Sequence, residues 1–129
     1  MSVSQLSNLI TLVAKKLGDA GVRYRIMGRH GLFVRDRSVV PSQEIHIDVD
    51  VKRFADLRDL FKECVFEEKT MKHVLFPGVV VEFHVPERWK DGETFVYSGA
   101  IVHVGTFAQL KEEAKFDRRM MDEILRVEA

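Results

Sequence analysis

The chain has 129 residues, of which 46% are hydrophobic and 31% charged, a balance typical of globular proteins. This length predicts a single domain that spans residues 1–129. The 20 basic and 20 acidic side chains cancel, and binding the phosphates of a nucleic acid requires a surplus of Lys and Arg. The net charge therefore does not indicate nucleic acid as a partner.

The sequence contains no pattern that indicates secretion, membrane insertion or an internal disulfide. The first residues lack the basic region of a secretory signal, and no apolar run is long enough to span a bilayer. We therefore expect a cytoplasmic protein with no membrane association. Cys64 is the one cysteine, so no internal disulfide can form, and we expect it to be a small buried apolar residue.

The N-terminal third alternates between helical and strand-like patterns. Apolar residues at helical spacing predict a first helix that is capped by Ser4 and stops at Gly18 or Gly21. Alternation then predicts a strand over residues 22–27. A short helical turn over residues 30–34 and a loop follow.

Residues 44–51 carry the most informative pattern in the chain. Their even positions are all polar and their odd positions are all β-branched and apolar, which predicts a strand. Because residues two apart in a strand share a face, four polar side chains form one row above a buried apolar face. The row consists of Glu44, His46, Asp48 and Asp50.

The remainder of the chain predicts further strands and two terminal helices. A helix with Phe54, Leu57, Leu60 and Phe61 on one face is followed by strands around 65–67, 73–76, 79–85, 95–97 and 100–104. Thr106 caps one helix, and a last helix over 116–127 directs Met120, Met121, Ile124 and Leu125 inward. This order predicts an α/β (α+β) domain with a central mixed sheet and helices.

The polar row has three physical interpretations. Carboxylates and imidazole can coordinate a divalent metal, neighbouring carboxylates can perform acid–base chemistry, and an antiparallel sheet can simply expose one face to solvent. Glu82 and His84 would join the row if the strand over 79–85 pairs beside it. Like charges on one face repel, so we expect Arg29, Arg35 or a bound cation to compensate them.

In its order of elements and its short motifs the chain resembles the nucleotidyltransferase superfamily in its minimal stand-alone form. The family has a strand that ends in Gly followed by Gly or Ser, a strand with acid–hydrophobic–acid, and a third acid on a later strand. Met27-Gly28-Arg29, Glu44-Ile45-His46 and Glu82 occupy the matching positions, and Lys115 lies on a C-terminal helix as in related members.

The resemblance implies a nucleoside triphosphate as ligand and a set of site residues. It implies catalytic roles for Glu44, His46 and Glu82, and contacts to the nucleotide by Gly28, Arg29 and Lys115. It implies a divalent metal, Mg²⁺ or Mn²⁺, or a transition metal because of the imidazole. The metal ligands would be Glu44, His46, Asp48 and Glu82.

Two departures from the family pattern concern the chemistry itself. His46 replaces an acid, and imidazole is a poor ligand for Mg²⁺. Arg29 replaces a small residue beside the phosphates, where it can still donate to phosphate but crowds the backbone. The acidic pair could instead be read two residues later, as His46 with Asp48, or four residues later, as Asp48 with Asp50.

These departures favour a degenerate nucleotidyltransferase-like domain that binds nucleotide or metal without turnover. The alternatives are an active transferase with an unknown acceptor, and a non-catalytic subunit of a two-protein system of the toxin–antitoxin type. A protein partner or a homo-oligomer is compatible with the degenerate binding domain and with the non-catalytic subunit. His30, next to Arg29, could meet a phosphate, but we expect it to be a surface histidine at a helix start. We expect the run Lys111-Glu112-Glu113 to be a solvated helix face.

Overall fold

A computed structural model describes residues 2–53, 55–62, 65–66, 73–76 and 78–129, with the backbone alone at 65–66 and 73–76. The predictions for Phe54, Cys64 and Glu67 fall outside the described residues. The elements, in chain order, are α1 Val3–Asp19, β1 Tyr24–Met27, α2 Gly28–Arg35, β2 Glu44–Val49, α3 Ala55–Arg58, β3 Val65–Phe66, β4 His73–Phe76, β5 Val79–His84, β6 Glu93–Tyr97, β7 Ala100–Val104, α4 Phe107–Glu113 and α5 Arg118–Glu128.

The described strands form one mixed sheet in the order β3-β4-β5-β2-β1-β7-β6. Strand β2 lies at its centre, antiparallel to β1 on one side and parallel to β5 on the other. Strand β1 also pairs in parallel with β7. The predicted α+β class with a central mixed sheet and helices is therefore confirmed.

The alternating pattern of β2 separates the two faces of the sheet as predicted. Ile45, Ile47 and Val49 are fully buried and belong to one large core cluster. The buried stripe of α1 belongs to the same cluster, and its members are Leu6, Leu9, Ile10, Val13, Ala14 and Leu17. The opposite face of β2, which carries the polar row, is thus left to line a site.

The N-terminal caps of α1 and α4 compare differently with their predictions. The N-cap of α1 is Ser2 and not Ser4, because Ser2 is extended and exchanges two hydrogen bonds with Gln5 in a capping box. Thr106 caps α4 as predicted.

Within the described residues, no helix combines the length and the apolarity that crossing a bilayer requires.

The C-terminal helix α5 packs through a narrower stripe than predicted. Met120 and Ile124 are buried in a second core cluster that also contains Met27 of β1 and Leu110 of α4. The prediction for Leu125 was wrong: this side chain is 48% exposed. Successive helical residues are about 100° apart, so Leu125 points away from the face that Ile124 buries.

Candidate functional site

Parallel pairing of β2 with β5 assembles a polar cluster on one face of the sheet. The register places His46 opposite Glu82 and Asp48 opposite His84. Since residues paired across strands share a face, the acid and the imidazole of β5 extend the polar row of β2 sideways. The predicted condition for Glu82 and His84 to join the row is met.

Glu44, His46 and Glu82 form the tightest part of this cluster. One ligand atom from each residue lies within 4.8 Å of the others. The Nε2 atom of His46 is 3.6 Å from a carboxylate oxygen of Glu82 and 3.9 Å from one of Glu44. Two carboxylates and one imidazole are a donor set that fits Mn²⁺ or Zn²⁺ better than Mg²⁺.

His84 supports this cluster from the neighbouring position on β5. Its Nε2 atom lies 3.4 Å from the second carboxylate oxygen of Glu82. Its ring meets that of His46 edge-on, with centroids 5.5 Å apart. The carboxylate of Glu82 therefore lies between two imidazoles, one for each of its oxygens.

The two aspartates of the polar row are paired with arginines in or next to β1: Arg25 lies within the strand, and Arg23 immediately precedes it. Both Nε and Nη2 of Arg25 are 2.7 Å from Oδ2 of Asp48, and Arg23 forms an ion pair with Asp50. The antiparallel register sets Arg25 directly opposite Asp48. Burial raises the pKa of Asp48, which the Arg25 guanidinium only partly counteracts.

The expectation that Arg29 or Arg35 compensates the negative charges of the polar row was wrong. Arg29 lies 2.6 Å from a carboxylate oxygen of Glu123 on α5, and Arg35 lies 3.3 Å from one of Glu93 on β6. Both arginines belong to α2, whereas the compensating Arg25 lies on the adjacent strand β1 and Arg23 immediately precedes that strand. Sequence spacing alone does not reveal this arrangement.

All three groups that were predicted to contact nucleotide are paired with carboxylates. The amide of Gly28 donates to Oε1 of Glu113 at 2.8 Å. Arg29 is paired with Glu123, as described above, and Nζ of Lys115 is 2.8 Å from Oε1 of Glu112. Gly28 has a φ of +63°, in the left-handed region that favours glycine.

Glu113 is the site residue that the sequence did not indicate. It was expected on a solvated face, yet its second oxygen lies 3.8 Å from Nδ1 of His46, and its side chain is only 31% exposed. Interaction with Glu113 is the largest cause of a raised pKa for His46; burial lowers that pKa, while Glu82 and Glu44 raise it further. A Lys-Glu-Glu run carries no signal for such a role.

Two pockets share His46 and Glu113 in their linings, and the two together are called the cleft. One part has a volume of about 270 Å³ and is lined by Gly28, Arg29 and Glu44. The other has a volume of about 460 Å³ and is lined by Asp48 and His84, among others. Because His46 and Glu113 line both parts, this pair stands at the centre of the cleft.

His30 is buried, so the expectation of a surface histidine was wrong. Its side chain is fully inaccessible, and its Nε2 atom is 2.8 Å from the carbonyl oxygen of Ser42. Burial lowers the pKa of His30 to about 4, which keeps the ring neutral at physiological pH. The neutral ring donates to Ser42 and holds the loop before β2 against α2.

Comparisons with known proteins identify the fold. No protein-family model and no curated protein sequence matches the chain. Solved structures do match: the antibiotic-resistance factor ANT(2'')-Ia has a TM-score of 0.72 at 11% identity, over 98% of this chain and 83% of that one. The same factor has also been solved in complex with adenylyl-2''-tobramycin, and that structure has a TM-score of 0.66 at 11% identity, over 97% and 87% of the two chains.

Two further structures have the same architecture. A nucleotidyltransferase-like antigenic protein from Paracoccidioides brasiliensis matches with a TM-score of 0.68 at 16% identity, over 98% of this chain and 75% of that one. A putative nucleotidyltransferase from Thermotoga maritima matches with a TM-score of 0.67 at 17% identity, over 98% and 93%. The chain therefore has a nucleotidyltransferase-like fold.

Proposed function

We propose that the cleft binds a divalent cation and, together with it, the phosphates of a nucleoside triphosphate, without turning the nucleotide over. The observation that carries this proposal is the convergence of Glu44, His46 and Glu82, whose ligand atoms lie within 4.8 Å of one another on a nucleotidyltransferase-like fold.

Glu44, His46 and Glu82 are the proposed ligands, and their chemistry selects the cation. Mn²⁺ and Zn²⁺ accept imidazole together with carboxylate oxygens, whereas Mg²⁺ prefers oxygen ligands and retains its waters. A bound cation would supply positive charge for phosphate oxygens. Asp48 enters the proposal as the partner of Arg25 and not as a ligand, because Arg25 already contacts its Oδ2 atom twice.

Nucleotide phosphates are proposed to bind next to the cation, near the amide of Gly28 and the guanidinium of Arg29. Both groups line the smaller part of the cleft, which also contains Glu44 and His46. Both are already paired with carboxylates, those of Glu113 and Glu123. A phosphate must therefore displace an acidic side chain, which favours a metal–nucleotide complex over a free nucleotide.

Loss of turnover is proposed from the nature of the residue at position 46. Phosphoryl and nucleotidyl transfer depend on metal ions that are held by hard oxygen ligands in exact geometry. His46 supplies an imidazole at the centre of the cluster, and three carboxylates surround that ring within 4 Å. Such a centre is better suited to binding a cation than to positioning a reacting phosphate.

Calorimetric titration tests the proposal directly. Mn²⁺, Zn²⁺ and Mg²⁺ are titrated separately, and ATP is then titrated with and without Mn²⁺. We expect Mn²⁺ binding and Mn²⁺-dependent ATP binding, both lost in Glu44→Ala and in Glu82→Ala. Glu87→Ala, which removes an exposed carboxylate from a loop, is the matched control and should bind as the wild type does.

Two results would contradict the proposal. Equal Mn²⁺ affinity in Glu44→Ala, Glu82→Ala and the wild type would reject the ligand assignment. Continuous release of pyrophosphate from ATP would reject the loss of turnover and favour an active transferase.

A further inference from the structure

We propose that Glu113 is the residue that makes nucleotide binding in the cleft depend on a divalent cation. Its carboxylate occupies the position of an incoming phosphate and repels that phosphate until a cation compensates the charge. This inference rests on the proposed function and extends it to a residue whose type and spacing gave no indication of a role.

Glu113 contacts both halves of the proposed site at once. Its Oε1 atom accepts a hydrogen bond of 2.8 Å from the amide of Gly28. Its Oε2 atom lies 3.8 Å from Nδ1 of His46. One carboxylate therefore connects the backbone amide that would face phosphate with the imidazole that would face the cation.

The position of Glu113 is fixed by its helix, whereas its side chain remains able to move. It is the last residue of α4, and the neighbouring Leu110 and Ala114 are buried in the second core cluster. The side chain itself is 31% exposed. The backbone thus holds the carboxylate at the cleft, and rotation about its side-chain bonds is sufficient to release the amide of Gly28.

Competition at the Gly28 amide follows from hydrogen-bond chemistry. A single N–H group makes one strong bond, and a charged acceptor makes that bond stronger than a neutral one does. A phosphate that approaches Gly28 must replace one anionic acceptor by another, so the hydrogen bond itself gives little net gain. At the same time the phosphate is repelled by the negative charges of Glu44 and Glu82, which lie on the same face of the sheet as His46.

A cation at Glu44, His46 and Glu82 would change this balance, because it neutralises the acids on one side of the cleft and attracts the phosphate. Removing the Glu113 carboxylate should have part of the same effect without any cation. Metal-free protein that lacks the Glu113 carboxylate should therefore bind phosphate more tightly, whether or not the protein has any catalytic activity.

The experiment uses inorganic tripolyphosphate as a probe, so that the identity of the base plays no part. Its affinity is measured by calorimetry on the full chain, without metal and with Mn²⁺, for the wild type, Glu113→Ala and Glu113→Gln. Asp122→Ala is the control that is matched in charge, since it removes an exposed carboxylate from α5. Thermal unfolding of each variant verifies that the fold is retained.

We expect Glu113→Ala to bind tripolyphosphate about tenfold more tightly than the wild type without metal, as for a coupling of ordinary size. The ratio of the affinities with and without Mn²⁺ should fall correspondingly. Glu113→Gln should respond less, because its amide oxygen can still accept from Gly28 although the negative charge is gone. Asp122→Ala should stay within about twofold of the wild type, as expected for an exposed charge.

Equal metal-free affinities in Glu113→Ala and the wild type, or equal gains in Glu113→Ala and Asp122→Ala, would overturn the inference. Failure of the proposed function is detected separately, by titrating Mn²⁺ alone into the wild type. Absence of Mn²⁺ binding rejects that function, whereas Mn²⁺ binding with unchanged tripolyphosphate affinities rejects only the role of Glu113.

Discussion

Arg25 and Asp48 form an ion pair within the sheet, in which two guanidinium nitrogens lie 2.7 Å from the same carboxylate oxygen and both side chains are 11% exposed. A third nitrogen of Arg25 donates to the carbonyl of Lys90 at 2.8 Å. The pair joins β1 to β2 directly beside the cluster of Glu44, His46 and Glu82. It therefore contributes to the rigidity of the sheet on which the proposed cation site is built.

Asp48→Asn is expected to lower the free energy of unfolding by about 3 kcal/mol, because it leaves a buried guanidinium without its counter-charge. Burial outweighs Arg25 in setting the pKa of Asp48, so desolvation of the pair is costly. The double variant Arg25→Met/Asp48→Leu should therefore recover most of the loss. Urea unfolding at neutral pH measures both, and a double variant that is less stable than Asp48→Asn would contradict this account.

His46→Asp is expected to change which cation the proposed site prefers. The substitution replaces the imidazole by oxygen ligands and so converts the donor set into one that suits Mg²⁺. We expect the affinity for Zn²⁺ to fall about tenfold or more and the affinity for Mg²⁺ to rise, as for a change of ligand type. Calorimetry with each metal measures the ratio, and an unchanged ratio would show that His46 does not bind the cation.

Buried His30 predicts a specific dependence of stability on pH. Its pKa is about 4 in the folded protein against an ordinary value of 6.5, so the unfolded chain binds more protons between these values. Stability from this residue is fully present above pH 6.5 and declines as the pH falls towards 4, by up to about 3 kcal/mol. The raised pKa of His46 acts in a different window, because its contribution is lost as the pH rises above 6.5.

Urea unfolding at several pH values between 4 and 6.5 measures this effect. His30→Gln keeps a hydrogen-bond donor for the carbonyl of Ser42 but cannot titrate, so its stability should vary less over this window. Parallel pH profiles for the wild type and His30→Gln would exclude His30 as the source.

Gly31→Ala is expected to destabilise the protein by about 2 kcal/mol through overpacking. A Cβ atom at this position would lie 2.9 Å from the carbonyl oxygen of Ile26 and 3.1 Å from Leu110. That carbonyl is held in place by the amide of Gly105 at 2.9 Å, so it cannot easily move away. Gly18→Ala is the matched control.

Gly18 lies in α1, where an added Cβ would meet nothing within 4 Å. Its replacement should stabilise the helix by up to about 1 kcal/mol. Thermal unfolding compares the two variants, and equal effects would show that the close approach of α2 to β1 does not limit the residue at position 31.

Local patterns were sufficient to predict most of the fold. The alternation over 44–51 predicted the strand, which ends at Val49, and the faces that its residues take, because side chains in a strand point alternately to opposite sides. Helical spacing predicted α1 and the buried Ile124. The prediction for Leu125 failed because the buried stripe of α5 consists of Met120 and Ile124, and the next residue along the helix lies about 100° away from that stripe.

The amino-acid sequence by itself determined which residues share a face, since that follows from the periodicity of helices and strands. Only the tertiary structure decided which charges meet. Arg25 is opposite Asp48 through the register of β1 on β2, and Glu113 reaches Gly28 across 85 residues of sequence. Such pairings depend on strand order and helix docking, which are set by burial of the whole core and leave no mark on the local pattern.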